Sequence, residues 1–192
     1  MKYDLILADP PWKQGKGGKK NVREKSSGGE LDYNTMDFVE IESLLKKLFS
    51  QLSDTNTNFF VWTIDKYLTE TDLMLTGFGY KRHARIVWDK ITGIPAAFTV
   101  RYSHEYLLWY YSGKFQPIAE SEQGKFTTVF REQTKKHSKK PQCIYTFLEK
   151  IYPEASKIEL FARPDMPLFP VREGWDVWGN EVNEHNRLSL AI

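Results

Sequence analysis

The 192 residues predict an α/β domain built on a mainly parallel sheet. Two observations carry this. Short, continuous apolar runs, the mark of strands buried on both faces, alternate along the chain with stretches of helical periodicity. Two acidic residues, Asp9 and Glu159, fall at or near the ends of such runs, the edge of a parallel sheet where ligands gather. A pocket is expected between them if their strands are neighbours.

The elements follow in order. Leu5-Ile6-Leu7-Ala8, stopped by Asp-Pro-Pro, reads as a buried parallel strand. Gly15 to Gly29 is rich in Gly, Lys and Ser without periodicity, and reads as a long mobile loop. Asp37 caps a helix, with Glu40 three residues on as a capping box. Phe38, Ile41, Leu44, Leu45, Leu48, Phe49 and Leu52 give it one apolar face. Asn58 to Thr63 is a buried strand. Asp65 to Thr76 is a helix stopped by Gly77. Ala84 to Trp88 and Glu105 to Tyr111, rich in aliphatic and aromatic residues, are strands. Ser112 to Lys136 reads as a second irregular region. Pro141 opens a helix with Ile144, Phe147, Leu148 and Ile151 on one face. Lys157 to Ala162 is a last strong strand, and Trp175 to Trp178 a short additional element. The expected organisation is one domain over residues 1–192, with basic flexible loops at about 13–32 and 112–136.

Composition narrows the classes. The chain is 41% hydrophobic and 27% charged, which suits a globular core. A net charge of +2 does not by itself imply a nucleic-acid partner. Its distribution says more. Lys13, Lys16, Lys19, Lys20, Arg23 and Lys25 are opposed locally only by Glu24, and Arg131, Lys135, Lys136, Lys139 and Lys140 only by Glu132. Solvated loops are the ordinary reading of such runs, and phosphate contacts the functional one. Cys143 is the only cysteine, which excludes an internal disulfide and a thiolate metal cluster. The four His are scattered, and no metal is implied. The first apolar run is too short for a signal peptide and nothing approaches a membrane span, so a cytoplasmic protein is expected. There is no phosphate-binding G-x-x-x-x-G-K-[ST] loop and no G-x-S-x-G elbow.

Asp9-Pro10-Pro11-Trp12 meets a specific chemical need. The exocyclic amine of adenine is a poor nucleophile, because its lone pair is delocalised into the ring. A carboxylate (Asp9) and a backbone carbonyl (Pro10), each accepting one amine hydrogen, hold the nitrogen in a more reactive geometry. Consecutive prolines keep that carbonyl in a rigid, open turn. Trp12 offers a flat face on which an extruded base can stack. The competing reading is a strand-ending turn with a buried Trp.

The motif has company. Tyr33-Asn34-Thr35-Met36, His137-Ser138-Lys139-Lys140-Pro141, Glu159-Leu160-Phe161-Ala162-Arg163 and Gly174 to Glu181 follow it in order. Together these closely resemble the adenine-N6 methyltransferase family typified by the catalytic subunit of the eukaryotic messenger-RNA N6-methyladenosine writer. The resemblance spans nearly the whole chain, and points to a compact member of the prokaryotic or phage DNA type. It implies a Rossmann-like methyltransferase fold with helices on both faces of the sheet, the catalytic motif preceding the cofactor motif. It implies S-adenosylmethionine as cofactor and the N6 amine of adenine in DNA as methyl acceptor. By resemblance, Asp9, Pro10, Pro11 and Trp12 are catalytic. Asp9 also lies near the methionine part of the cofactor, and Lys140 meets its carboxylate. Arg163 and Asp165 look like ligands of the ribose or nearby groups, and Asn180 and Glu181 of the adenosine and ribose. Phe161 belongs to the same motif as a cofactor contact and reads more strongly as core, and Glu159, inside the strand, either touches ligand or orients the backbone. Tyr33 covers the base or anchors its loop, and His104-Glu105 is a secondary candidate. The substrate strand is expected along Lys16, Lys19, Lys20, Arg23, Lys135 and Lys136, beside Trp12 and Tyr33.

Two departures from the family stand out. Larger members carry sequence before the catalytic strand that contributes to the cofactor pocket, where this chain has Met1 to Asp4. The loop after Trp12 is long and basic, with Gly15, Gly17 and Gly18. DNA is expected in preference to RNA, with a monomer or homodimer, no membrane and no metal. The alternatives are an RNA adenine-N6 methyltransferase, a non-catalytic nucleic-acid-binding subunit on the same fold, and an enzyme acting on a small-molecule or protein amine. Related folds methylate protein glutamine with an Asn-Pro-Pro-Tyr motif, and Asp with Trp here favours a nucleobase.

Overall fold

The computed structural model describes residues 1–13, 35–91, 100, 102–133, 140–162 and 172–179. Among them, seven strands form one sheet: β1 (Tyr3–Ala8), β2 (Ser53–Thr63), β3 (Lys81–Asp89), β4 (His104–Tyr111), β5 (Val129–Arg131), β6 (Lys157–Leu160) and β7 (Trp175–Trp178). Their order across the sheet is β5-β3-β4-β2-β1-β6-β7. β1 pairs parallel with β2 and β6, β6 with β7, and β3 with β5. β4 runs antiparallel to both of its neighbours. The strands other than β4 therefore end on one edge, and β4 begins there.

Helices cover both faces, as the resemblance implies, and strand alternation decides which side chains meet which helix. Ile6, Ala8, Phe59, Val61, Leu108, Tyr110, Ile158 and Leu160 pack under α1 (Phe38–Leu52) and α2 (Leu68–Gly77), against Ile41, Leu45, Leu48, Phe49, Met74 and Leu75. The intervening residues Leu5, Leu7, Phe60, Trp62, Ile86, Trp88, Leu107 and Trp109 face α3 (Gln142–Ile151) through Ile144, Phe147, Leu148 and Ile151. At α1 the Glu40 carboxylate accepts the Asp37 N–H at 2.8 Å, closing the predicted capping box. Pro141 stands as the N-cap of α3, where its missing N–H costs no helical bond.

The differences from the expected elements have local causes. β2 begins at Ser53, directly after α1, rather than at Asn58. Its first residues are polar and exposed, so they carry no apolar signal. Asp65–Tyr67 forms a 3-10 turn ahead of α2, which takes in Gly77 as its last residue. The region expected to be irregular from Ser112 to Lys136 contains β5, three residues paired with Val87 to Asp89. So short a strand is held by its partner rather than by any pattern of its own. No helix among the described residues is long and apolar enough to cross a membrane.

Leu45 is fully buried beneath the sheet, whereas Leu73 on α2 is 68% exposed. Leu45→Ala is expected to lower unfolding free energy by about 3 kcal/mol and Leu73→Ala by about 0.5 kcal/mol or less, both read from urea denaturation.

Candidate active site

The chain leaving β1 is held by main-chain bonds on both sides. Asp9 N–H donates to Leu160 O at 3.3 Å, prolonging the ladder with β6. Trp12 N–H donates to Pro10 O at 2.8 Å, and Met36 N–H to Pro11 O at 3.0 Å. Trp12 and Met36 form a parallel bridge. Two prolines allow this turn without leaving donors unsatisfied, because neither carries an N–H.

Trp12 stands otherwise than as an open stacking platform. It is 4% exposed. Its indole N–H donates to Trp62 O at 2.9 Å. Its ring packs with Phe38 and Tyr67, with centroids 5.9 and 5.2 Å away. The Tyr67 hydroxyl in turn donates to Lys13 O at 2.7 Å. Trp12 is thus an anchor that fixes the turn against β2 and α1, since a buried indole is most stable with its N–H bonded and its ring packed.

Beyond the turn lies a chain of alternating charge. Lys140, immediately before α3, places its ammonium 2.9 Å from Asp9 Oδ1 and 3.0 Å from Glu105 Oε2. Lys90, just past β3, reaches Glu105 Oε1 at 2.5 Å. Each lysine also rests on an indole: Lys140 on Trp62 and Lys90 on Trp88, both 5.2 Å from the ring centroid. The two indoles meet edge to face at 6.0 Å. Burial alone would discharge Lys140, but the carboxylates of Asp9 and Glu105 outweigh it and hold its pKa above the ordinary lysine value. Burial likewise opposes ionisation of Glu105, and the two ammonium groups overcome it, leaving its carboxyl below the usual range. Among the described residues the buried indole N–H of Trp62 meets no acceptor, a donor that a bound molecule or water would satisfy.

Asp9 and Glu159 do lie on neighbouring strands: Glu159 is opposite Leu7 in the β1–β6 register. The Tyr145 hydroxyl on α3 donates to Glu159 Oε1 at 2.7 Å. Burial pushes the Glu159 carboxyl up, the bond from Tyr145 pulls the other way, and the charge of Asp9 adds to the rise, leaving it at about 7. Next to this pair, Arg172 forks onto Glu149 and lies 5.0 Å from the Tyr145 ring centroid.

Phe161, directly after β6, has a φ of 61°, a left-handed conformation that is costly for a residue with a Cβ. Its ring packs edge-on against Trp178 and onto the core under α1. Gly179 passes so close to this bend that an added Cβ would lie 2.7 Å from Ala162 O. The two segments that lead to Arg163 and to Asn180 are therefore pressed together at one corner.

Of the residues singled out from the sequence, the structure brings together Asp9, Pro10, Lys140, Glu105 and Glu159 at the carboxyl edge. Lys16, Lys19, Lys20, Arg23, Tyr33, Lys135, Lys136, Arg163, Asp165, Asn180 and Glu181 lie outside the described residues. His104 bonds its neighbour Tyr106 at 2.9 Å. Lys90, Trp62, Trp88, Tyr145 and Arg172 are the residues that sequence reasoning missed. The one signal for them was a Trp near the end of each of two apolar runs, β2 and β3.

Comparison with known proteins matches residues 3–181 to the MT-A70 family. The chain is 29% identical to Type II methyltransferase M.MunI of a Mycoplasma species, over 96% of its own length and 79% of that protein's. It is 27% identical to an N(6)-adenosine-methyltransferase MT-A70-like protein of Arabidopsis thaliana, over 94% of its length. It is 25% identical to the N(6)-adenosine-methyltransferase catalytic subunit of Homo sapiens, over 95%. It spans only 24% and 28% of those two longer proteins.

Removing the Lys140 ammonium takes a buried cation from Asp9 and leaves Glu105 with Lys90 in a poorly solvated place, so Lys140→Ala is expected to cost about 3 kcal/mol in chemical denaturation. Glu159 binds its proton more tightly in the folded chain than at its ordinary value of 4.5. The stability this contributes is full below that value and is lost as pH rises through about 7. Glu159→Gln is therefore expected to flatten the stability profile between pH 4.5 and 7 by at most about 3 kcal/mol, read from urea midpoints across that range.

Proposed function

Because the chain belongs to the MT-A70 family, we propose that it transfers the methyl group of S-adenosylmethionine to the N6 amine of adenine in DNA. The observation that carries this reading is the meeting of the Asp-Pro-Pro turn with the Lys140 ammonium, 2.9 Å from Asp9.

The donor set suits the cofactor. An ammonium has three N–H bonds, and Lys140 directs two of them to Asp9 and Glu105. The third serves the α-carboxylate of a bound amino acid. Asp9 and Glu159 are the carboxylates for its cationic groups, and the unmatched Trp62 N–H adds a donor. Arg163, Asp165, Asn180 and Glu181 supply the ribose and adenosine contacts in this reading. S-adenosylmethionine contributes an electrophilic methyl group carried on a sulfonium.

The chain's own residues position the amine. Asp9 accepts one hydrogen of the target N6. Pro10 O takes one bond from Trp12 N–H, and its second lone pair accepts the other hydrogen. With the nitrogen held in line with the methyl carbon, no strong base is required, because the amine becomes acidic only as the new bond forms. Trp12 keeps the turn rigid, and the stacking partner for an extruded base is assigned to Tyr33. Lys13 and Arg131, both well exposed at this edge, begin the two basic stretches that contact phosphates.

The preference for DNA over RNA is supported by the 29% identity to the Type II methyltransferase of a Mycoplasma species, against 27% and 25% to the plant and human N(6)-adenosine-methyltransferases. Methyl transfer to duplex DNA, single-stranded DNA and RNA of one adenine-containing sequence, compared side by side, tests it. DNA is expected to be the better acceptor, and activity on RNA alone would overturn that choice. Asp9→Ala is expected to lower kcat at least about 100-fold, and unchanged turnover would remove Asp9 from the active site.

A further inference from the structure

Among the described residues, charge balance around the turn leaves one carboxyl over. Asp9 and Glu105 are matched by Lys140 and Lys90, and Glu149 is matched by Arg172. Glu159 sits among these pairs with a phenol as its hydrogen-bond partner rather than a cation. Among the described residues, the groups that face it are Asp9 from beyond β1, Lys140 from just before α3, Tyr145 from α3, and Arg172 ahead of β7. Both neighbouring cations are already engaged, so an ionised Glu159 is a surplus negative charge in a poorly solvated place.

The proposed methyl donor brings the complement. At its methionine end it carries an ammonium, a sulfonium and a carboxylate, a net charge of +1. Its demethylated product has lost the sulfonium charge and is neutral overall. We propose that Glu159, held in place by the Tyr145 hydroxyl, takes up the net positive charge of the methyl donor by releasing its proton to solvent as the donor binds, and regains a proton once the methyl group has gone. The Glu159 O–H bond breaks on binding, the proton passes to buffer, and the reverse follows transfer. Donor binding is thereby favoured by a charge that the product no longer compensates. Tyr145 is the positioning residue: its O–H donates to the ionised form and keeps the carboxylate aimed beside Asp9.

This rests on the cofactor reading above, and the test separates the two. S-adenosylmethionine and S-adenosylhomocysteine are titrated calorimetrically into the intact chain at pH 7, in buffers of different ionisation enthalpy. The slope of heat against that enthalpy counts protons released. The expected result is about half a proton per site for the donor, as for a group titrating near 7, and close to none for the product. Equal slopes for both ligands, or no slope for either, overturn the inference while leaving the cofactor reading intact. Absence of any binding overturns both. Glu159→Gln is expected to abolish the donor's slope, and persistence of the slope there assigns the proton elsewhere. Tyr145→Phe is expected to move the release profile to higher pH, because the ionised form loses its donor. A structural role alone would weaken binding at every pH without moving that profile. The comparison of donor with product in the unaltered chain decides the matter even if either variant fails to fold.

Discussion

The ammonium of Lys140 is the point on which the carboxyl edge of this sheet depends. It sits just before α3, on the indole of Trp62, and is shared by one carboxylate from the turn after β1 and one from β4. Without a cation there, Asp9 and Glu105 would face each other across a poorly solvated gap. With it, three separate parts of the chain are tied at one place: the turn after β1, the start of β4 and the entry to α3. Such a buried pair gives specificity of arrangement more than net stability. That suits the work proposed for the site, which is to hold an amine and a methyl carbon in line.

The sheet makes the tie possible. β4 is reversed between β3 and β2, so its first residues reach the edge where the parallel strands finish. Glu105 enters the site for that reason, from the beginning of a strand. Side-chain alternation does the rest. Asp9 continues the face of Leu5 and Leu7, Glu105 the face of Leu107 and Trp109, and both faces look toward α3.

Much of this was legible in the residues themselves. Apolar runs and helical spacing located β1, α1, β4, α3 and β6, because their burial is continuous or strictly periodic. The turn after β1 was legible because Asp-Pro-Pro closes an apolar run, and its chemical reading came from the other motifs that accompany it. Lys140 was legible through its motif and through nothing local, since a lysine beside another lysine and a proline reads as solvated charge. Lys90, Tyr145 and Arg172 were not legible. Their meaning comes from tertiary neighbours (a glutamate, a second glutamate, a ring) that lie at least 14 residues away. β5 was lost for the same reason, being a strand only by virtue of its partner. Trp12 shows the converse. Its position in the motif was read correctly, yet exposure is decided by the packing of Phe38 and Tyr67.

The bridge between Trp12 and Met36 has a consequence for how such a chain can change over time. It fixes both ends of the intervening segment side by side, bonded to the same turn that carries Asp9. Closing a segment between two posts that are already set costs little more when the segment grows: doubling its length adds only about 0.6 kcal/mol. Residues 13–35 can therefore be lengthened, shortened or exchanged with small effect on the turn that carries Asp9. A lineage can rewrite this segment while the turn is inherited unchanged.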